Sequence, residues 1–169
     1  MVEKQIRKPN RLNCYDYGEI GCYFITLCTH HRQSLFLMEK SSVGNGLRAV
    51  PNNPANQVIR NWIAQLHHKF EGISIDQYVI MPDHLHFIIN IKERCPGGSV
   101  PDIMRFMKTM TTNEYIRGVK QGILQPFDKK LWQKSYYDHI IRNQQDYNEI
   151  WEYIENNPDK WMLMYNRPQ

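Results

Sequence analysis

The chain has no apolar run approaching a membrane span, no CxxC pair and no glycine-rich phosphate loop of the Walker type. Each absence sets aside a class of function. A helical span needs about 20 consecutive apolar residues, so no membrane partner is expected. The N-terminal stretch MVEKQIRKPNRLN is basic with no apolar segment behind it, which does not read as a secretory signal. The chain is therefore expected in the cytoplasm. Its cysteines, Cys14, Cys22, Cys28 and Cys95, form no regular framework and read as free thiols, not disulfides or zinc ligands. Without a Walker motif, any bond-making chemistry has to conserve its energy in some other way than nucleotide hydrolysis.

What is present suits one ordinary globular unit. A length of 169 residues with 41% apolar and 22% charged side chains supports a single domain with a real core. The net charge of +4 is modest but unevenly spread. Lys4, Arg7, Lys8 and Arg11 face only Glu3 in the first dozen positions. Between 101 and 142, Arg105, Lys108, Arg117, Lys120, Lys129, Lys130, Lys134 and Arg142 stand against Asp102, Glu114, Asp128 and Asp138. After Asn143 the balance turns acidic. A basic arm and a basic middle suit a polyanionic partner, although charges scattered on a solvated surface would give the same totals.

The hydrophobic pattern alternates between periods. GCYFITLCTH (21–30) reads as a strand, and SSVGNGLRAVPNNP (41–54) as a loop. Val58, Ile59, Trp62, Leu66 and Phe70 fall at helical spacing. ISIDQYVIM and HLHFIINIK form a hairpin about Pro82-Asp83. Ser99 is placed to cap a helix over about 101–119, with Ile103, Phe106, Met107 and Met110 on its buried stripe. LWQKSYYDHIIR (131–142) reads as a fourth strand. A last helix from Gln144 carries Tyr147, Ile150, Trp151 and Ile154, and Asn157-Pro158 is expected to stop it. The order β-α-β-β-α-β-α fits an α+β fold: a ferredoxin-like four-stranded antiparallel sheet with helices packed on it.

Within that pattern one detail needs explaining. His84 and His86 sit in a strand that is otherwise apolar, and alternation puts both on one face. Imidazoles about 7 Å apart along a strand can converge on one divalent ion, or stand as a polar pair with no ligand. Tyr153 and Asn157 share a face of the last helix at i and i+4, beside its apolar stripe. An amide oxygen there suits a hard ion such as Mg²⁺ or Mn²⁺. The blander reading makes Tyr153 a packing aromatic and Asn157 a helix-end residue.

HLH in a strand resembles the His-hydrophobic-His motif of HUH single-strand endonucleases. WQKSYYDHIIRNQQDYNEIWEYIENNPDKW and YDYGEIGCYFITLCTHHR resemble the corresponding blocks of IS200-like single-tyrosine transposases, in particular the REP-associated tyrosine transposases. The likeness runs from about Arg11 to Trp161. It implies His84 and His86 as metal ligands, Asn157 as the polar residue completing the metal site, and Tyr153 as the nucleophile. Insertion-sequence enzymes of this kind typically carry glutamine where this chain has Asn157, and asparagine is the tendency of the REP-associated group. The implied activity is metal-dependent nicking and joining of single-stranded or hairpin DNA, through a 5′-phosphotyrosine that stores the energy of the broken bond. The implied setting is a bacterial nucleoid, and homodimerisation stays open.

On this reading residues 1–169 form one domain, with a basic arm over about 1–12 and an insertion over about 41–54. DNA-contacting candidates are Arg7, Lys8 and Arg11 on the arm, Arg105 and Lys108 on the second helix, and Lys129, Lys130 and Lys134 beside the fourth strand. Tyr15, Tyr17 and Trp132 are candidates to stack on unpaired bases, or else core residues. Tyr136 and Tyr137 are competing tyrosines on a strand, where neighbours face opposite ways. Two alternatives remain. A histidine-triad hydrolase would want histidine where Ile88 stands, and a two-histidine phosphoesterase would want a second His-x-Thr/Ser motif, which is absent. A hairpin-binding protein without catalysis is the other.

Overall fold

In the computed structural model, residues 15–37, 39–40 and 53–165 are described. The proposed arm with Arg7, Lys8 and Arg11, and most of the 41–54 loop, lie outside them. The elements follow the expected order, with one short addition. They are β1 (Gly21–Cys28), β2 (Glu39–Lys40), α1 (Pro54–Lys69), β3 (Ile73–Met81), β4 (His84–Ile91), α2 (Val100–Lys120), β5 (Tyr137–Ile141) and α3 (Gln144–Tyr165). The antiparallel sheet has the spatial order β2-β3-β4-β1-β5, so the histidine-bearing β4 lies at its centre. Four strands carry the fold, and β2 adds a two-residue edge that pairs Glu39 with Ile80.

Local chemistry accounts for the helix starts. The Asn53 side chain accepts from the Asn56 amide and Pro54 occupies the first turn of α1. Ser99 caps α2 in the same way, one residue ahead of Val100. Asn143 Oδ1 accepts from the Asp146 amide at 2.9 Å at the head of α3. Asp146 in turn accepts from His139 Nε2 at 2.9 Å and from the Arg142 amide at 3.1 Å, which ties α3 to β5. A second tie runs to β3: Tyr147 Oη donates to Asp76 at 3.2 Å, and Asn90 Nδ2 donates to the same carboxylate at 3.0 Å. Asp76 stands at the irregularity between Ile75 and Gln77, which turns it toward α3. The two ties fix where α3 enters and so aim the residues further along it.

Strand alternation divides the packing. Leu85, Phe87, Ile89 and Ile91 enter a core shared with α1 and α2, together with Ile25, Leu27, Ile80, Ile103 and Met107. The other face carries a smaller cluster under α3, made of Phe24, Val79, Met81, Ile88 and Ile154.

Two expectations need correction, and one open choice is settled. Asn157-Pro158 does not stop α3: the helix runs through Pro158 to Tyr165. A proline inside a helix loses one backbone donor, but Pro158 is buried beneath the helix and Trp161 beyond it packs on His84. Tertiary contact outweighs the local cost. The fourth strand is shorter than 131–142: it covers Tyr137–Ile141, while Trp132 makes an isolated bridge to Thr29. Tyr17 and Trp132, open to two readings, are core residues, 7% and 4% exposed, and not platforms for bases. Trp132 stacks on Phe36 and donates from Nε1 to Thr111 Oγ1 at 2.9 Å. Tyr15 packs edge-on against Tyr17 and Tyr23.

Candidate active site on the helix-covered face of the sheet

His84 and His86 project from β4 to the α3 face, with ring centroids 4.7 Å apart. Both are buried, at 6% and 4% exposure. A buried imidazole needs partners, and each has one at Nδ1. Asp83 Oδ1 lies 2.5 Å from His84 Nδ1. Thr26 Oγ1, directly across the β1–β4 ladder from His86, lies 2.8 Å from His86 Nδ1. Burial pushes His84 below the ordinary histidine range, against the pull of the Asp83 hydrogen bond and charge. Burial, then the neighbouring His84 and Arg32, push His86 down to about 3. Both rings are therefore neutral near pH 7. A carboxylate at Nδ1 keeps the His84 hydrogen there and leaves the Nε2 lone pair unprotonated, an arrangement characteristic of metal-binding histidines.

The third side comes from α3. Tyr153 Oη stands 3.5 Å from His86 Nε2, at the outer limit of hydrogen bonding. Phe24 shapes this contact: it stacks on His86 with centroids 5.3 Å apart and meets the Tyr153 ring edge-on at 5.9 Å. Tyr153 remains 41% exposed, so the side chain can be reached from solvent. Residues 153, 157 and 161 form one row along α3 at successive turns. Tyr153 touches His86 at one end of the row, and Trp161 lies 5.6 Å from the His84 ring at the other. Asn157, between them in this row, is buried at 8% exposure.

Two neutral imidazoles and a buried amide fit a divalent cation. Among the described residues no group of three His, Cys, Asp or Glu side chains gathers as a metal cage. With three protein donors, a cation held by His84, His86 and Asn157 would keep positions for substrate oxygens.

The remaining candidates fall elsewhere. Tyr137, 57% exposed on the edge strand β5, pairs with Thr26 and so shares the histidine face one strand beyond it, while Tyr136 packs against the larger core. Lys108, Lys129, Lys130 and Lys134 come together around an open groove of about 340 Å³ that also includes Thr112, Ile116 and Phe127. Lys108 is partly committed there, donating to the Gln133 and Lys134 carbonyls at 2.5 and 2.9 Å, and burial lowers its pKa. Arg105 lines a different groove, paired with Asp102 at 2.6 Å. Reasoning from sequence missed Asp83, Thr26 and Trp161 at the site. For Asp83 a signal existed, because a carboxylate next to a buried histidine is a ready partner. For Thr26 none did, since it meets His86 only through strand register.

A sequence profile described as "Transposase IS200 like" matches residues 23–157. The chain belongs to the IS200-like transposase family. That makes it a DNA-processing protein of a family that generally depends on a metal ion. An uncharacterised protein of Haemophilus influenzae is 34% identical over 167 residues, covering 92% of this chain and 89% of its own. A second protein of that organism, provisionally named a REP-associated tyrosine transposase, is 24% identical and covers 86% of this chain and 74% of its own. Among solved structures, a REP-associated tyrosine transposase bound to a REP hairpin shares the fold, with a TM-score of 0.57 at 21% identity. That match covers 95% of this chain and 74% of the other. Among the described residues, no helix is long and apolar enough to cross a membrane.

Proposed function

We propose that this IS200-like transposase nicks and rejoins single-stranded or hairpin DNA through a covalent 5′-phosphotyrosine on Tyr153. The observation that carries the reading is the placement of Tyr153 Oη, 3.5 Å from His86 Nε2, on a part-exposed side chain. Tyr153 Oη attacks the phosphorus, the bond to the 3′ oxygen breaks, and the phenol proton is lost to water on the exposed side while the departing 3′ oxygen takes one up. The product is a tyrosyl 5′-phosphate and a free 3′-OH, and attack by a 3′-OH on that ester rejoins a strand. A divalent ion, Mg²⁺ or Mn²⁺, held by His84, His86 and Asn157 would supply positive charge at the scissile phosphate. Asp83 and Thr26 hold the two rings in place, and Phe24 sets the approach of the Tyr153 ring.

On this reading Tyr153 serves the histidines of its own chain. Lys129, Lys130 and Lys134, with Lys108 behind them, line a groove suited to DNA phosphates, and the same role is assigned to Arg105 and, outside the described residues, to Arg7, Lys8 and Arg11. The hairpin bound to the REP-associated structure makes hairpin DNA the preferred probe.

The test is a denaturing-gel assay for a covalent protein–DNA adduct on single-stranded and hairpin oligonucleotides with Mn²⁺. An adduct that disappears with chelator and with Tyr153→Phe is the expected result. Hairpin binding without any adduct would favour the non-catalytic alternative, and metal-dependent cleavage without an adduct the hydrolytic one.

A further inference from the structure

We propose that Arg32 receives a DNA phosphate flanking the cleaved one and so guides the strand from the lysine groove into the histidine–tyrosine site. This rests on the nuclease reading above. Arg32 ends a tight turn, His30–Arg32, that follows β1. His31 and Arg32 both have φ near 55°, a left-handed conformation uncommon for residues with side chains. The turn is held in that shape by several bonds. Thr29 Oγ1 donates to the Gln33 carbonyl at 2.8 Å, the Arg32 amide donates to the Thr29 carbonyl at 3.2 Å, and Gln33 Nε2 donates to the His30 carbonyl at 3.0 Å. A strained turn so firmly held fixes where its last side chain begins.

That side chain reaches the active site through a single carboxylate. Arg32 Nη1 lies 3.4 Å from Asp83 Oδ2, while Asp83 Oδ1 is engaged by His84. Half of the Arg32 side chain remains exposed, and its contact with Asp83 uses Nη1. A half-exposed ion pair at this distance contributes little to folding, and the fold does not explain the position.

The lysine-bearing segment lies beside this turn. The His30 amide donates to the Leu131 carbonyl at 2.9 Å, and the Gln133 amide donates to the Cys28 carbonyl at 3.0 Å. The segment bearing Lys129, Lys130 and Lys134 therefore runs beside the Arg32 turn at the His84 end of the sheet. The groove lies against α2, on the opposite face from the site, so a DNA strand joining the two has to round this end of the sheet, where Arg32 stands. Through Asp83, His84 and His86, the path from the guanidinium to Tyr153 Oη is longer than one contact, so the phosphate at Arg32 is not the one attacked. The planar fork suits a phosphate diester.

The experiment uses the full chain and a randomised pool of single-stranded DNA, from which the wild type selects its own substrate as an adduct. On that sequence, Arg32→Gln is expected to weaken binding about tenfold and to lower the slope of log affinity against log salt by about 0.7. Adduct formation at saturating DNA and Mn²⁺ affinity should stay within about threefold of wild type. Arg32→Lys should recover most of the binding, and if Arg32→Gln does not fold, Arg32→Asn, which suits the left-handed turn, carries the same comparison. A single uncharged methylphosphonate next to the cleaved position should erase the difference between wild type and variant. Unchanged affinity and salt slope overturn this inference alone. A loss confined to metal affinity or saturating rate also overturns it, since Arg32 would then act only through Asp83. No adduct with any DNA in the wild type removes the nuclease reading and this inference together.

Discussion

The sheet presents two faces of opposite character. Toward α1 and α2, 23 described residues form one buried apolar cluster, and nearly every inward position of β1 and β4 contributes to it. Toward α3, five buried apolar residues share the surface with His84, His86 and Asn157, all of them buried and polar. Both faces belong to the same strands, so β4 supplies Phe87 to one and His86 to the other in consecutive positions. The comparison teaches that stability and chemistry are divided by side-chain alternation. One face is saturated with packing, which leaves the other free to carry groups that packing alone would not favour. The α3 face makes up for its small apolar area with the polar ties at Asp76 and Asp146.

Substitutions on the two faces should therefore have opposite signatures. Tyr153→Phe should lower adduct formation by about four orders of magnitude or more, with urea unfolding nearly unchanged, because one oxygen at a part-exposed site is removed. Tyr136→Phe and Tyr137→Phe should keep the adduct. Phe87→Ala, on the packed face, should cost about 3–5 kcal/mol of stability, read from the urea midpoint, while cleavage per folded molecule persists. The division fails if Phe87→Ala abolishes cleavage in protein that is still folded.

The buried histidines should also leave a mark on stability. The folded pKa of His86 is depressed, so its unfolded form binds a proton that the folded form refuses. That contribution is fully present above about pH 6.5 and is lost as pH falls toward 3. In chelator-treated protein, His86 alone should remove about 2 kcal/mol between pH 7 and pH 5, and His86→Gln should flatten the profile. A flat wild-type profile would mean that the ring is hydrated and not buried.

Smaller effects sharpen the contrast. Asp83→Ala should weaken Mn²⁺ binding about 10- to 100-fold, measured by calorimetry, by freeing the His84 ring. Unchanged affinity would leave Asp83 with a role in the turn alone. Ile88→Val trims one methylene beneath α3 and should cost only about 0.5–1.5 kcal/mol. If it also slows adduct formation, the small cluster is holding Tyr153 in place as well as α3.

Much of this was legible in the residues. The hairpin about Pro82-Asp83, the shared face of His84 and His86, and the i, i+4 relation of Tyr153 and Asn157 all follow from periods of 2 and 3.6. The Ser99 cap was also visible, because its bonding is local. Residues whose roles depend on distant partners were not. Trp132 looked available for stacking until Phe36 and Thr111 enclosed it, and Lys108 looked like a free cation until the Gln133 and Lys134 carbonyls met it. The Pro158 stop signal was read correctly as a local rule and overruled by what Trp161 packs on.

The sequence by itself determined the element types, the two-faced strand and the family, because local geometry fixes which side chains point together. Only the tertiary structure decided that Tyr153 meets His86, that Thr26 holds the His86 ring, and that α3 continues to Trp161. Those contacts join residues 60 or more positions apart, as Thr26 and Tyr153 each are from His86. Their register is set by the packing of whole strands and helices, and no short window of sequence contains it.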